Sequence, residues 1–403
     1  MAKDSKPGAE KEAARIFDRD TLEAAVRRRV RTVIEAVIES ELEAALGAAP
    51  SARVGKERRG YRNGRRERQL TTSLGPTTIA MPRARVFEGE AASEWRSQAV
   101  GRYQRRTARV DEAILGVYLA GTNTRRLRGA LAPLLGDGPL SKDAISRLVG
   151  RLRDDFEVWR NRDLGTDDIR YLQMDGWYPK VRLGRQRVRV PVLVTLGVKG
   201  NGERIVVDLR LVGEETSAAW GDVITHLVAR GLGRPQLAMV DGNPGLLRAL
   251  REQWPGLPIQ RCTAHKLRNL EAKAPVRLRE EVAEDYRRMV YAESAAAVER
   301  ARAGFLKKWR LRCPAVAKSL EEAGDQLFTF LRFPRSQWKA LRTTNSIERI
   351  NGEFRRRTKT QASLPSHDAV LLLLFGLLRT GHIKLRKLVG WKDMNAVLGQ
   401  QAA

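Results

Sequence analysis

Two apolar runs in this chain each end in an aspartate that is followed at once by glycine. Ile169, Tyr171, Leu172 and Met174 lead to Asp175 and Gly176, and Leu237 to Val240 lead to Asp241 and Gly242. A short buried strand that delivers one acid at its carboxyl end is how open α/β sheets assemble a ligand site. Either Asp-Gly pair alone also reads as a turn. Two of them, each directly after an apolar run, favour ligands.

The surrounding sequence supports a sheet. Residues 166–262 alternate as β-β-β-α-β-α-β. The first strand ends at Asp175. The second spans Val188 to Val198, with Pro191 inside it arguing for an edge or a bulge. The third is Ile205 to Leu211. A helix over Ser217 to Ala229, a strand ending at Asp241, a helix over Pro244 to Trp254 and a strand near Ile259 complete a mixed sheet. Its first and fourth strands are expected to be neighbours, which would bring Asp175 and Asp241 together across 66 intervening steps of chain. From His265 to about Trp338 the pattern is helical. The apolar helix Asp368 to Leu378 follows later, and the last 20 or so residues read as basic and weakly structured.

A third acid, Glu348, lies in TTNSIERINGEFRRRTK. Arg355 and Lys359 share its helical face, and Ile347, Ile350 and Phe354 form the adjoining apolar face. The plainer reading is a capping box from Asn345 to Glu348. Three carboxylates beside cationic side chains suit a hard divalent ion, Mg²⁺ or Mn²⁺, and chemistry on phosphate esters. Asp208, Glu214, Glu215 and Glu353 remain open as further acids. Cys262-x-x-His265 has the spacing of half a zinc site, but a structural zinc needs four ligands. The pair is therefore assigned a supporting role beside Asp241. His226, His367 and His382 show no partner pattern and read as structural.

Charge sets the expected partner. The 403 residues carry 75 Lys and Arg against 47 Asp and Glu, a formal +28, which points first to nucleic acid and second to an anionic membrane surface. The longest apolar run, Ala369 to Leu378, is far short of the ~20 residues of a spanning helix, so no membrane role is expected. MAKDSKPGAEKEAARIF has no apolar signal core, and two cysteines exclude a disulfide framework, so a reducing cytoplasmic setting is expected.

The basic residues cluster upstream. Thr21 to Gly47 reads as one long amphipathic helix, or two broken ones, with a packing or dimer face. Ser51 to Val86 holds ten Lys or Arg against two acids. Arg58, Arg59, Arg62, Arg65 and Arg66 there are candidate phosphate contacts, either on a β-hairpin around Gly75-Pro76 or on a disordered basic arm. Arg102 to Arg153 reads as three helices. The second carries Arg125 and Arg126. The third is capped by Ser141 and carries Lys142 and Arg147, as in a helix-turn-helix or in an ordinary bundle. The expected domains are 1–50 helical and dimerising, 51–100 basic hairpin, 101–165 helix-turn-helix-like, 166–265 and 341–390 the two parts of a catalytic core, 266–340 a helical insertion, and 391–403 a tail.

Taken together, MDGWYPKVR, MVDGNPGL, IQRCTAHKLRNL and TTNSIERINGEFRRRTK resemble the Mutator-type transposases of bacterial insertion sequences. GYRNGRRERQLTTSLGPTTIAMPRAR and GEETSAAW resemble that family too, so the likeness runs in order from about residue 55 to 390. The resemblance implies a ribonuclease-H-like core of mixed α/β class with a helical insertion. It implies a catalytic, metal-binding triad of Asp175 in MDGW, Asp241 in VDGN and Glu348 in NSIER, and it matches Cys262 and His265 to a family C-x-x-H element. The implied activity is Mg²⁺-dependent cleavage and joining of double-stranded DNA at terminal inverted repeats. Two ions and at least a homodimer are expected, in a bacterial, nucleoid-associated setting. Arg355 and Lys359 are expected to position the DNA backbone. Two rivals stand beside this reading, a nuclease of the same fold that does not join strands and a silent DNA-binding regulator.

Overall fold

The computed structural model describes residues 19–52, 59–88, 91–119, 127, 129–135, 140–183, 186–360, 366–381 and 383–394. Arg58, Arg125, Arg126 and His382 lie outside the described residues, as does the side chain of Lys142. The chain divides into two compact units, residues 1–118 with 122–149, and residues 119–121 with 150–403.

In the first unit a 28-residue helix, α1 (Arg19–Leu46), packs on a long hairpin, β1 (Gly60–Thr72) and β2 (Gly75–Glu88). A short strand, β3 (Ala91–Glu94), extends the hairpin. The apolar residues of α1 divide into two sets. Ile34, Ile38, Leu42 and Leu46 pack on Leu70, Ile79, Met81 and Ala84 of the hairpin. Leu22, Val26, Val33 and Val37 stay exposed. The hairpin turns at Ser73-Leu74, with Thr72 paired to Gly75. Its strands run further than the turn signals alone imply, so Arg62, Arg65 and Arg66 sit on β1 itself. Beyond it, α2 (Ala108–Leu119) and α3 (Ala132–Leu135) precede α4 (Lys142–Arg160). Val110, Ile114, Leu131, Leu135 and Leu148 form a small apolar core. The Ser141 hydroxyl caps α4 by accepting from the Ala144 amide at 3.2 Å.

The second unit is built on a five-stranded mixed sheet. Its strands are β4 (Ile169–Trp177), β7 (Val192–Lys199), β8 (Arg204–Leu211), β9 (Leu237–Val240) and β10 (Ile259–Arg261), in the spatial order β10-β9-β4-β7-β8. β7 is antiparallel to β4 and β8, while β9 and β10 run parallel to β4. These strands read as continuous apolar runs because both sheet faces are covered. Helices α5 (Ser217–Ala229) and α6 (Pro244–Gln253) pack against Leu172, Met174, Ala238 and Val240. A helical array follows β10: α7 (Thr263–Lys273), α8 (Arg279–Val290), α9 (Ala295–Arg312), α10 (Pro314–Ala323) and α11 (Trp338–Leu341). It joins Tyr171, Val198 and Met239 in one core. Then come α12 (Asn345–Thr360) and the apolar α13 (Asp368–Arg379).

The helical array is pinned to β10 by buried polar groups. The Gln260 side chain donates to the Leu327 carbonyl at 2.8 Å and accepts from the Phe330 amide at 2.7 Å. Arg261 and Lys266, both buried, converge on Glu322 of α10 at 2.7 and 2.8 Å. The Arg261 hydrogen bond holds the Glu322 carboxyl down at about 2. Buried groups this well paired fix one docking geometry.

Three expectations from sequence change here. The first strand does not stop at Asp175: β4 continues to Trp177, because Asp175, Gly176 and Trp177 still pair with β7. Pro191 is neither an edge nor a bulge but a break. Residues 186–189 form β6 (Gln186–Arg189), which pairs with β5 (Lys180–Leu183) in a separate hairpin, and β7 begins afresh at Val192 as an interior strand. A proline nitrogen cannot feed the ladder, so the strand parts there. The stretch after α13 is not loosely held throughout. Leu388 and Met394 are buried in the helical core, and the Leu388 amide donates to the Gly202 carbonyl at 2.8 Å.

Candidate active site

Strand register sets the site. Met174 pairs with Val240 in the parallel β4/β9 ladder, and Arg261 pairs with Val240 in β9/β10. One step on, Asp175, Asp241 and Cys262 stand level across three adjacent parallel strands, just past the ends of β9 and β10 and two residues before the end of β4. The Cys262 amide closes that step on the Val240 carbonyl at 2.7 Å. Gly242, at φ +99°, makes the turn after Asp241. A Cβ there would meet the Arg261 guanidinium at 2.5 Å, so both backbone and space call for glycine.

Asp175 is buried, with 7% of its surface exposed. Burial, then the charges of Asp241, Glu215 and Glu348, push its carboxyl up to about 7, against the pull of His265. Asn351 of α12 donates to Asp175 Oδ2 at 3.1 Å. Asp241 Oδ1 accepts from the Asn243 amide at 2.8 Å, and Asn243 in turn caps α6. The same α12 that carries Asn351 carries Glu348 one turn earlier. Thr344, whose carbonyl accepts from the Glu348 amide, precedes that helix. The Glu348 carboxylate does not cap it. It takes Arg268 at 3.0 Å and His265 at 3.5 Å. Ile347, Ile350 and Phe354 are fully buried, as the sequence pattern predicts, while Arg355 and Lys359 are exposed.

Cys262 and His265 lie beside the acids. Burial alone would raise the Cys262 thiol, but hydrogen bonds with His265 and Thr344 lower it. Hydrogen bonding to Cys262, then the fields of Asp175 and Asp241, lift His265 up to about 9. Among the described residues no group of three or more His, Cys, Asp or Glu is gathered as a metal site. That holds for Asp175, Asp241 and Glu348 as much as for Cys262 and His265. What the acids do offer is hard oxygen donors carrying negative charge that the chain leaves largely uncompensated around Asp175. That donor chemistry fits a divalent cation.

Sequence reasoning left Glu215 among several undecided acids and passed over Asn351, Arg268 and Tyr178. Glu215 stands over Gly176, where a Cβ would meet its Oε2 at 2.4 Å. Trp220 Nε1 donates to it at 3.0 Å and the Tyr178 hydroxyl donates to its other oxygen. The only advance signals were Gly176 itself and the GEETSAAW run.

The other sequence candidates lie in the first unit. Arg62 and Arg65 are held by Glu39 of α1, Arg65 at 3.0 Å. Arg59 and Arg147 are exposed. Arg66 lines a pocket with other arginines. Among the described residues no helix is long and apolar enough to cross a membrane.

Comparison with known proteins identifies the family. A transposase for the insertion sequence element IS406 of Burkholderia multivorans is 33% identical over 80% of this chain and 81% of its own length. One for ISRM5 of Rhizobium meliloti is 31% identical over 80% and 79%. One for IS1201 of Lactobacillus helveticus is 27% identical over 89% and 95%. The Drosophila P element transposase strand transfer complex covers 73% of this chain and 86% of its own, at 9% identity and a TM-score of 0.31. The profile described as "Transposase, Mutator family" matches residues 4–386. This chain belongs to the Mutator family of transposases.

Proposed function

We propose that this transposase cuts and joins double-stranded DNA at the terminal inverted repeats of an insertion sequence, with Asp175, Asp241 and Glu348 as its catalytic acids. The observation that carries the reading is the register of Met174 against Val240, which leaves two aspartates level on adjacent parallel strands. The sheet is proposed to be ribonuclease-H-like. Numbered along the chain, its strands run 3-2-1-4-5 with only the second reversed, and that order supports the assignment.

Asp175, Asp241 and Glu348 would hold Mg²⁺ or Mn²⁺, as two ions. When bound, such ions activate the attacking oxygen and stabilise the leaving one at phosphorus. The protein's own contribution is positional. Asn351 orients the Asp175 carboxylate, Asn243 orients Asp241, and α12 carries both Asn351 and Glu348 toward the strand ends. Arg268 and His265 hold Glu348 and would release it as DNA and ions arrive. Hydrolysis at the element end breaks a P–O bond and frees a 3′-hydroxyl. That hydroxyl then attacks a second phosphodiester, so one P–O bond forms as another breaks and no covalent enzyme adduct is needed. Arg355 and Lys359, exposed on α12, are proposed to contact the DNA backbone. Synapsis of two ends calls for at least a dimer. The exposed Leu22, Val26, Val33 and Val37 of α1 are the proposed self-association face.

The test uses purified protein, Mg²⁺ and a plasmid carrying the element's two ends. Wild type is compared with Asp175→Ala, Asp241→Ala and Glu348→Gln, with DNA binding checked for each. Strand joining by wild type alone, with all variants still binding, supports the reading. Cleavage without joining selects the nuclease. Binding without cleavage selects the regulator. Cleavage that survives Glu348→Gln removes the third ligand.

A further inference from the structure

In the first unit, five arginines converge on one pocket of the hairpin. Arg66 and Arg68 come from β1, Arg83 from β2, and Arg96 and Arg102 from the segment after β3. Strand alternation explains the convergence. Arg66 and Arg68 share a face with Leu70, and Arg83 shares it with Ile79 and Met81, since Arg66 pairs with Met81 and Arg68 with Ile79. Leu70, Ile79 and Met81 are buried under α1, so this face is apolar at one end and turns cationic where the core ends.

These cations lack counter-ions among the described residues. Arg66, Arg83, Arg96 and Arg102 are exposed and make no ion pair there, although Glu94 also lines the pocket. This contrasts with Arg62 and Arg65 on the same strand, which share the Glu39 carboxylate. Arg68 forms the floor. One of its guanidinium nitrogens donates to the Gln104 carbonyl, but Nη1 is buried with no hydrogen-bond partner among the described residues. Burial, then Arg66 and Arg105, make its charge harder to hold. A buried guanidinium donor left without an acceptor is costly, and like charges held together repel. Both costs vanish when an oxyanion enters. Guanidinium forks match the paired oxygens of a phosphate.

We propose that this pocket is a phosphate-binding site that seats one or two backbone phosphodiesters of duplex DNA. It is a sequence-independent anchor for the first unit, and it deepens the proposed function because it rests on DNA being the substrate. It relocates the hairpin's phosphate contacts from Arg62 and Arg65, which Glu39 of the protein already engages, to Arg66, Arg68, Arg83, Arg96 and Arg102.

The experiment measures binding of the full-length protein to a labelled duplex of arbitrary sequence over a range of salt concentrations. Arg66→Gln/Arg83→Gln removes two rim charges and leaves the half-buried Arg68 in place. Arg287→Gln/Arg300→Gln, exposed on α8 and α9, removes the same charge from the second unit. Each phosphate that the protein no longer neutralises lowers the slope of log K against log salt by about 1. The expected result is a slope reduced by about 1 to 2 and a roughly tenfold or greater drop in affinity at low salt for the pocket variant only. Equal drops in both variants, or none in the pocket variant while wild type binds, overturn the pocket. Wild type that binds no DNA at all overturns the proposed function itself. Unchanged circular dichroism and melting temperature in the pocket variant keep a folding defect from imitating the expected result.

Discussion

Each unit holds one cluster of unbalanced charge, acidic in the second and basic in the first, and the two clusters are built differently. In the second unit, acid is concentrated and sheltered. Asp175 is buried on a central strand, with Asp241, Glu215 and Glu348 all raising its pKa. In the first unit, base is spread along an exposed pocket rim, and of the five pocket arginines only Arg68 is drawn inward. A sheltered charge feels its neighbours through a poor dielectric, whereas rim charges are screened by water and salt. A few residues should therefore dominate the acidic site, and many should share the basic one.

The sharpest way to break that contrast is at the strand ends. Asp175→Asn is expected to lower strand cleavage by at least ~10³-fold, about 4 kcal/mol of barrier at 1.36 per tenfold, with duplex binding unchanged. A gel assay of end nicking reads the first, and fluorescence anisotropy the second. A drop of only a few-fold would mean that the burial of Asp175 has no catalytic meaning. Next in size is Asn351→Ala, which removes the 3.1 Å hydrogen bond to Asp175. An outer-shell partner of this kind is worth about 10–100-fold. Asn351→Gln should not restore it, because the longer side chain overshoots.

The same sheltering predicts a pH signature for protein without divalent ions. The Asp175 carboxyl is raised from 3.8 to about 7 in the fold, so the folded state favours the protonated acid. Its contribution to stability is therefore fully present below about pH 4 and is lost as the pH rises through 7. Divalent ions should reverse this, since they bind the carboxylate. Added Mg²⁺ is expected to raise the melting temperature by several degrees at pH 8 and by much less at pH 5.5. In Asp175→Asn the difference between the two pH values should shrink. A stabilisation independent of pH would place the ion elsewhere.

The sequence made this asymmetry only half visible. An apolar run that stops at Asp-Gly is local information, and both strands stand where Met174 and Val240 imply. Mixed sheet, flanking helices and helical array were likewise written in short-range periodicity. The role of Glu215 was not, because it depends on a helix start reaching over Gly176, and Asn351 shows its partner only once α12 crosses β4. Pro191 is only partly legible for a related reason. Its missing amide signals a broken ladder, but only the separate β5/β6 hairpin shows that the strand parts in two. In the first unit the same limit inverted the emphasis. The densest basic run contains Arg62 and Arg65, yet their counter-ion, Glu39, comes from a helix more than twenty residues earlier, and the pocket draws on three separate segments.

The smallest expected effect tests that inversion. Glu39 holds Arg62 and Arg65 with only 18% of its side chain exposed. Glu39→Gln keeps the shape and removes the charge, so the first unit should lose about 1 kcal/mol, the upper end for a partly exposed pair. Chemical denaturation followed by circular dichroism measures it. The same substitution releases two arginines next to a surface already proposed to hold phosphate. If rim charges act additively and are screened, duplex affinity should rise no more than a few-fold at low salt, and the gain should fade as salt increases. A gain as large as the drop caused by Arg66→Gln/Arg83→Gln would return Arg62 and Arg65 to the DNA-contacting set and make Glu39 a brake on it. No gain would mean that the two arginines are structural, holding α1 to the hairpin while the pocket alone meets the backbone.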